Sequence, residues 1–143
     1  MYRHSYYMMD GKGDTLRHKT YACYDFSSFV RGIPDAGYII TGQKLTNIGY
    51  QAYLLKLDSV GDKQWENIYG RPGMINGIDV IVTKDGNYMM VGRNSMTMKF
   101  NGTDQYGVYL AKVKPNGDSI WTKTLNCKGN TVGSRIMETM NGG

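Results

Sequence analysis

His4, His18, Cys23 and Cys127 are the side chains in this sequence with the readiest acid–base, nucleophilic or metal-ligating chemistry. General acid–base catalysis needs such a group within hydrogen-bond reach of a reacting partner. His18 stands between Arg17 and Lys19, a setting that predicts an exposed ring. Two cysteines are too few for a disulfide framework or for a structural zinc site, which takes about four ligands. Asp58 and Asp62 flank a glycine turn and invite a calcium reading, but calcium takes about six to eight oxygens. Lys114 also replaces Asp58 at the matching place further along, so turn chemistry is the expected role. No G-x-S-x-G, H-E-x-x-H, phosphate-loop or dinucleotide fingerprint occurs. The chain is therefore expected to be no enzyme, with no catalytic residue, no metal and no cofactor.

The background to these residues is a chain of 143 residues with 19 glycines, 12 tyrosines and 20% charged side chains. The 17 Lys and Arg against 12 Asp and Glu leave a net charge of +5. Nucleic-acid binding would need those cations gathered on one face. They are instead spread from Arg3 to Arg135 among Asp10, Asp35, Asp58, Asp85 and Asp118, so a solvated surface and no nucleic-acid partner are expected. The apolar runs are short, as in Tyr53-Leu54-Leu55, and no membrane span is expected. The first twenty residues hold no apolar signal-peptide region.

A repeat organises the whole chain. Tyr53-Leu54-Leu55-Lys56-Leu57-Asp58 through Gly61, Asp62 and Trp65 recurs 56 residues later as Tyr109-Leu110-Ala111-Lys112-Val113-Lys114 through Gly117, Asp118 and Trp121. Asp35-Ala36-Gly37-Tyr38-Ile39-Ile40-Thr41-Gly42 recurs 50 residues later as Asp85-Gly86-Asn87-Tyr88-Met89-Met90-Val91-Gly92. The extra residues fall in a polar loop between Asn94 and Gly107. Asp10, Gly13, Asp14 and Tyr21 match Asp58, Gly61, Asp62 and Tyr69 at an offset of 48. Arg135 to Gly142 matches the stretch from Ile78 to Gly86.

Each full unit reads as four short strands. In the better-marked unit these are residues 77–83, 87–93, 108–114 and 118–125. Tyr109, Ala111 and Val113 share one face of the third, against Leu110 and Lys112 on the other. Asp85-Gly86 and Asn116-Gly117 mark hairpins, the second predicted as a two-residue loop with both central residues at positive φ. Four antiparallel strands per unit of 50 to 56 residues predict β-propeller blades. The expected organisation is the last two strands of a partial blade in residues 1–26, full blades in 27–76 and 77–133, and the first strand of a truncated blade in 134–143. That gives about 11 strands in an all-β partial propeller.

The stretches DAGYIITG, AYLLKLDSVGDKQWENIYG, DGNYMMVG, VYLAKVKPNGDSIWTKTL and GDTLRHKTY resemble the propeller repeats of bacterial secreted and cell-surface proteins. They resemble in particular the long repeat proteins of Bacteroidota exported by the type IX secretion route. The resemblance implies an extracellular or cell-surface location and a scaffold or protein- or glycan-binding role within a larger protein, with further blades in cis or in trans. The first unit departs from the pattern by carrying Arg17 where Trp65 and Trp121 stand. In a ring of blades Cys23 and Cys127 occupy equivalent places two units apart, beyond the roughly 7 Å Cα separation that a disulfide spans. No bridge between them is expected.

Within that fold Trp65 and Trp121 are expected to cover the gap between neighbouring blades, and Tyr38, Tyr53, Tyr88 and Tyr109 to build the core. Gly42, Gly61, Gly92 and Gly117 are expected to supply positive φ or close backbone approach. KLDSVGDKQWENIYG also resembles the tryptophan-docking motif of quinoprotein dehydrogenases and, with wider spacing, the sialidase Asp-box. Both motifs are structural in those families, so the resemblance implies the fold without an active site, and a quinoprotein-like dehydrogenase propeller fragment using pyrroloquinoline quinone is the alternative reading. A lectin-like protomer that assembles a ring is another. A four-bladed ring at this repeat length needs about 200 residues, so the chain is expected to be a fragment or a protomer whose edges expose unpaired strands.

Overall fold

The computed structural model describes residues 3–22, 25–70, 75–95, 106–125 and 131–141. These residues form ten β-strands in three antiparallel sheets, with no helix among them. The first sheet pairs β1 (Arg3–Met9) with β2 (Thr15–Ala22). The second is a meander of β3 (Asp25–Gly32), β4 (Tyr38–Thr46), β5 (Gly49–Leu57) and β6 (Lys63–Tyr69). The third repeats it with β7 (Ile75–Val82), β8 (Tyr88–Asn94), β9 (Gly107–Val113) and β10 (Ser119–Leu125). Both four-stranded sheets are blade-like. Cys23, Cys127 and most of the loop expected between Asn94 and Gly107 lie outside the described residues.

Five hairpins share one turn. The N–H of Asp10, Ile33, Asp58, Thr83 and Lys114 donates to the carbonyl four residues on, and each carbonyl accepts from the N–H three residues on. The residue at that third step is left-handed every time: Gly13, Ala36, Gly61, Gly86 and Gly117 have φ of 92°, 63°, 81°, 78° and 93°. This is a three-residue loop closed by a bulge. Asn116-Gly117 is therefore not the expected two-residue turn, because only Gly117 takes positive φ. Asp58 shows what the acid contributes: its Oδ1 accepts from the N–H of Val60 at 2.9 Å and of Asp62 at 2.8 Å. The carboxylate of Asp10 does the same for Lys12 and Asp14. These acids are occupied as turn caps.

Burial follows from stacking. β5 is buried from Gln51 to Leu57 without alternation, because both faces of the second sheet are covered. Ala52 and Leu54 point to the third sheet and pack with Val80, Met90, Tyr109 and Ala111. Tyr53, Leu55 and Leu57 form a separate cluster on the opposite face, against Tyr6 of β1. β9 keeps the alternation expected of a sheet covered on one side: Tyr109, Ala111 and Val113 are buried, while Val108, Leu110 and Lys112 are partly exposed. The third sheet approaches the second closely at Gly77, since a Cβ there would collide with Thr41 and sit 3.1 Å from the Gly42 carbonyl.

Of the segment expected as a further strand at 134–143, residues 134–141 are described and carry no strand. Residues 131–139 have no assigned strand or turn. They nevertheless lie against the third sheet as β7 lies against the second. A Cβ on Gly133 would strike Val91 and come within 3.3 Å of the Gly92 carbonyl, the repeat equivalents of Thr41 and Gly42. Side chains fix the segment: the Ile136 N–H donates to the Asp79 carboxylate at 3.2 Å, and the Lys84 N–H donates to Glu138 at 2.7 Å. A strand is defined by a ladder of backbone bonds to a neighbour, whereas this segment is held by a backbone bond from the Thr131 N–H to the Tyr106 carbonyl at 3.0 Å together with side chains and packing.

Candidate functional site

The most developed polar constellation joins the second and third sheets. Alternation along β6 puts Trp65, Asn67 and Tyr69 on one face, opposite Lys56, Leu54 and Ala52 of β5. That row reaches the β9–β10 turn of the next sheet. The Trp65 indole N–H donates to the Pro115 carbonyl at 3.0 Å. Asn67 Nδ2 and Tyr69 Oη both donate to the Gly117 carbonyl, at 3.0 and 2.7 Å. Gly117 is constrained twice, by its left-handed φ and by the Trp65 ring, which a Cβ would meet at 3.2 Å. Burial pushes the Tyr69 hydroxyl well above the usual tyrosine range, so it stays a protonated donor.

A second layer supports this clasp. Trp65 lies 6.1 Å from Tyr88, ring centroid to ring centroid, at a tilt of 51°. Lys56 ion-pairs with Asp35 at 2.7 Å across the β3–β4 turn. Burial opposes the charge on Lys56, but hydrogen bonding and the charges of Asp35 and Tyr88 outweigh it and raise its pKa. The hydrogen bond from Lys56 helps to hold the Asp35 carboxyl below its ordinary value. Lys112 and Asp85 repeat the pair in the third sheet at 2.6 Å.

The first sheet grips the second by the same rule with different chemistry. Arg17, at the place of Trp65, donates from Nη1 to the Val60 carbonyl at 3.2 Å. Lys19, at the place of Asn67, pairs with Asp62 in the same turn. A guanidinium thus replaces the indole as donor, and the departure at Arg17 keeps a donor on the equivalent turn, one residue beyond the place that Trp65 contacts. His18 points the other way, exposed and stacked on Tyr7 at 4.4 Å. His4 lies on β1, and its side chain is outside the described residues.

The other signature residues separate by role. Tyr53, Tyr88 and Tyr109 are buried, and Tyr38 packs at the edge of the cluster formed by Tyr53, Leu55 and Leu57. Gly92 permits close approach, since a Cβ would run into the Asn76 carbonyl. Gly42 holds the equivalent place opposite the bulge between Ser27 and Phe29 and is not left-handed. Gly61 and Gly117 take positive φ. Trp121 is 39% exposed. Asn67, Tyr69 and Lys19 were not singled out from the sequence, although the alternation W-E-N-I-Y on a fourth strand already put Asn67 and Tyr69 beside Trp65.

An open groove of about 590 Å³ lies near one end of β3 and β7, lined by Arg31, Pro34, Ile81, Val82, Ile136 and Glu138. Arg31 closes its floor by donating to the Val80 carbonyl at 2.7 Å, and its guanidinium stands 3.4 Å from the buried Asp79 carboxylate. Arg31 and Arg135 both stack over Phe29, at 5.1 and 4.9 Å. The groove offers mixed polar and apolar walls with charge of both signs. Among the described residues no three His, Cys, Asp or Glu side chains converge on a point where a metal could sit. No helix of the described residues is long and apolar enough to cross a membrane.

Comparison with known proteins leaves these features to speak for themselves: no protein-family model matches the chain, and no curated protein is detectably similar to it.

Proposed function

We propose that this chain is a non-catalytic run of β-propeller blades within a larger secreted or cell-surface bacterial protein, a scaffold that presents a protein- or glycan-binding surface. The recurrence of one inter-sheet clasp carries this reading. Arg17 and Lys19 hold the turn at Val60 to Asp62, and Trp65, Asn67 and Tyr69 hold the turn at Pro115 to Gly117. A contact repeated at successive interfaces adds sheets side by side in a fixed relation, which is the way radial repeat folds grow. The extracellular setting rests on the resemblance of the repeats to exported propeller proteins. The groove between Arg31 and Glu138 is the candidate binding surface, since rigid sheets present their connecting loops along one edge.

Two assays test this reading. Reconstitution with pyrroloquinoline quinone and calcium is expected to give no dye-linked oxidation of alcohols or sugars, and turnover there would overturn the scaffold assignment. A panel of acidic and neutral oligosaccharides, followed by amide chemical shifts, is expected to perturb residues around Arg31 and Glu138. Shifts confined to the opposite end of the sheets would move the binding surface elsewhere.

A further inference from the structure

The face of the third sheet that points away from the second carries a row equivalent to the two clasps. Trp121, Lys123 and Leu125 stand on β10 where Trp65, Asn67 and Tyr69 stand on β6, and where Arg17 and Lys19 stand on β2. All three side chains are exposed. The inner part of that face is already covered, because Gly133 and its neighbours lie over Val91 and Val108 as Gly77 lies over Thr41. What the row lacks is the turn of a hairpin.

The turn chemistry that the row should hold is set by the two occupied interfaces. Each uses a turn with a left-handed glycine followed by an aspartate: Gly61-Asp62 and Gly117-Asp118. The chain carries a third copy, Asp10 to Asp14, with Gly13 left-handed and residues 11–14 exposed. The two ends also match in charge. Lys19 pairs with Asp62 at the first interface, and the same offsets place Lys123 opposite Asp14.

We infer that a second copy of this chain docks its β1–β2 turn onto the Trp121, Lys123 and Leu125 row. The Trp121 indole N–H takes the carbonyl at Gly11, the repeat equivalent of Pro115, and Lys123 pairs with Asp14. The inference rests on the blade reading above and names its partner. The contact is heterologous, head to tail, so it builds rings or open chains rather than a two-fold dimer.

Sedimentation velocity across a concentration series tests it, with the whole chain at moderate salt. Association is expected, and Trp121→Ala should weaken it at least tenfold. Lys123→Asp alone and Asp14→Lys alone should each abolish it by setting like charges together, and the double variant should restore it. A 1:1 mixture of the two single variants should associate again in strict alternation, because the row of each variant is complementary to the turn of the other. Strictly monomeric protein at every concentration would overturn the inference, as would association indifferent to these charge changes, which would indicate pairing through an exposed strand edge. The blade reading is tested apart from this: Trp65→Ala lowers the melting temperature of monomer if the clasp holds the sheets, whatever Trp121 does.

Discussion

The Trp65 indole donates to the Pro115 carbonyl at 3.0 Å across two sheets that share no backbone ladder. The residues are 50 apart in sequence and meet because β6 is the last strand of one sheet and the turn beside Pro115 joins the last two strands of the next. A side-chain row therefore does at this interface what backbone pairing does within each sheet. Its strength is measurable.

Trp65→Ala removes a part-buried indole and its hydrogen bond, and is expected to destabilise the fold by about 2 kcal/mol. Trp65→Phe keeps most of the packing against Tyr88 and should cost about 1 kcal/mol. Urea denaturation separates the two. Equal losses would mean that the packing against Tyr88 contributes nothing, and an unchanged stability of Trp65→Phe would mean that the hydrogen bond to Pro115 contributes nothing.

Tyr69→Phe leaves the Gly117 carbonyl still paired with Asn67, so about 1 kcal/mol is the expected loss. Tyr69→Phe combined with Asn67→Ala orphans that carbonyl and should cost more than the sum of the single changes. A strictly additive double-variant cycle would argue that the two donors act independently.

Ala36 and Gly86 occupy the same step of equivalent turns, with φ of 63° and 78°. A left-handed alanine is strained by about 1 kcal/mol. Ala36→Gly should therefore raise stability slightly, the relief exceeding the entropy that glycine adds to the unfolded chain. Gly86→Ala should lower stability by about 1 kcal/mol, although a Cβ there meets nothing within 4 Å. Thermal melts of both variants check the opposite signs.

The hairpins and the buried face of β9 were legible because local chemistry sets them: an aspartate in each turn, glycine at the left-handed step of four of the five, alternation beyond. Loop length was not legible from Asn116-Gly117 alone. That dipeptide suits either a two-residue turn or a three-residue loop with a bulge, and the bonds between Lys114 and Asp118 decide for the second. The Arg17 substitution looked like a defect in the repeat because sequence comparison weighs residue type, whereas the Val60 carbonyl needs only a donor. Residues 134–143 read as a strand from their repeat position, but position supplies packing and cannot supply a neighbouring edge.

Acid should loosen the repeated turn pairs. Hydrogen bonds from Lys112, Thr83 and Asn87 hold the Asp85 carboxyl far below the ordinary carboxylate range, and Asp35 is lowered by Lys56 and the Gly37 N–H. A carboxyl lowered in the folded state stabilises fully above its unfolded value of about 3.9. That contribution is lost as pH falls through the folded value. Melting temperature should thus decline from about pH 4 downward, and Asp85→Asn should flatten the decline. An unchanged acid limb in that variant would contradict the assignment.

At high pH the sign reverses in origin. Burial pushes the Tyr109 hydroxyl up to about 12. A group whose proton is held more tightly in the folded state stabilises below its unfolded value of about 10 and loses that contribution as pH rises towards 12. Absorbance titration of phenolate should show exposed tyrosines ionising first, with Tyr109→Phe removing part of a late, unfolding-coupled step. Loss of amplitude from the early step would place Tyr109 at the surface.

The side-by-side stacking of the sheets is tested most directly by proton NMR of the two indoles in dilute protein. The account predicts that the Trp65 indole N–H exchanges slowly with solvent and gives nuclear Overhauser effects to Pro115 and Gly117, while the Trp121 indole N–H exchanges fast. Equal, fast exchange at both tryptophans with no effect between Trp65 and the Pro115 turn would contradict it.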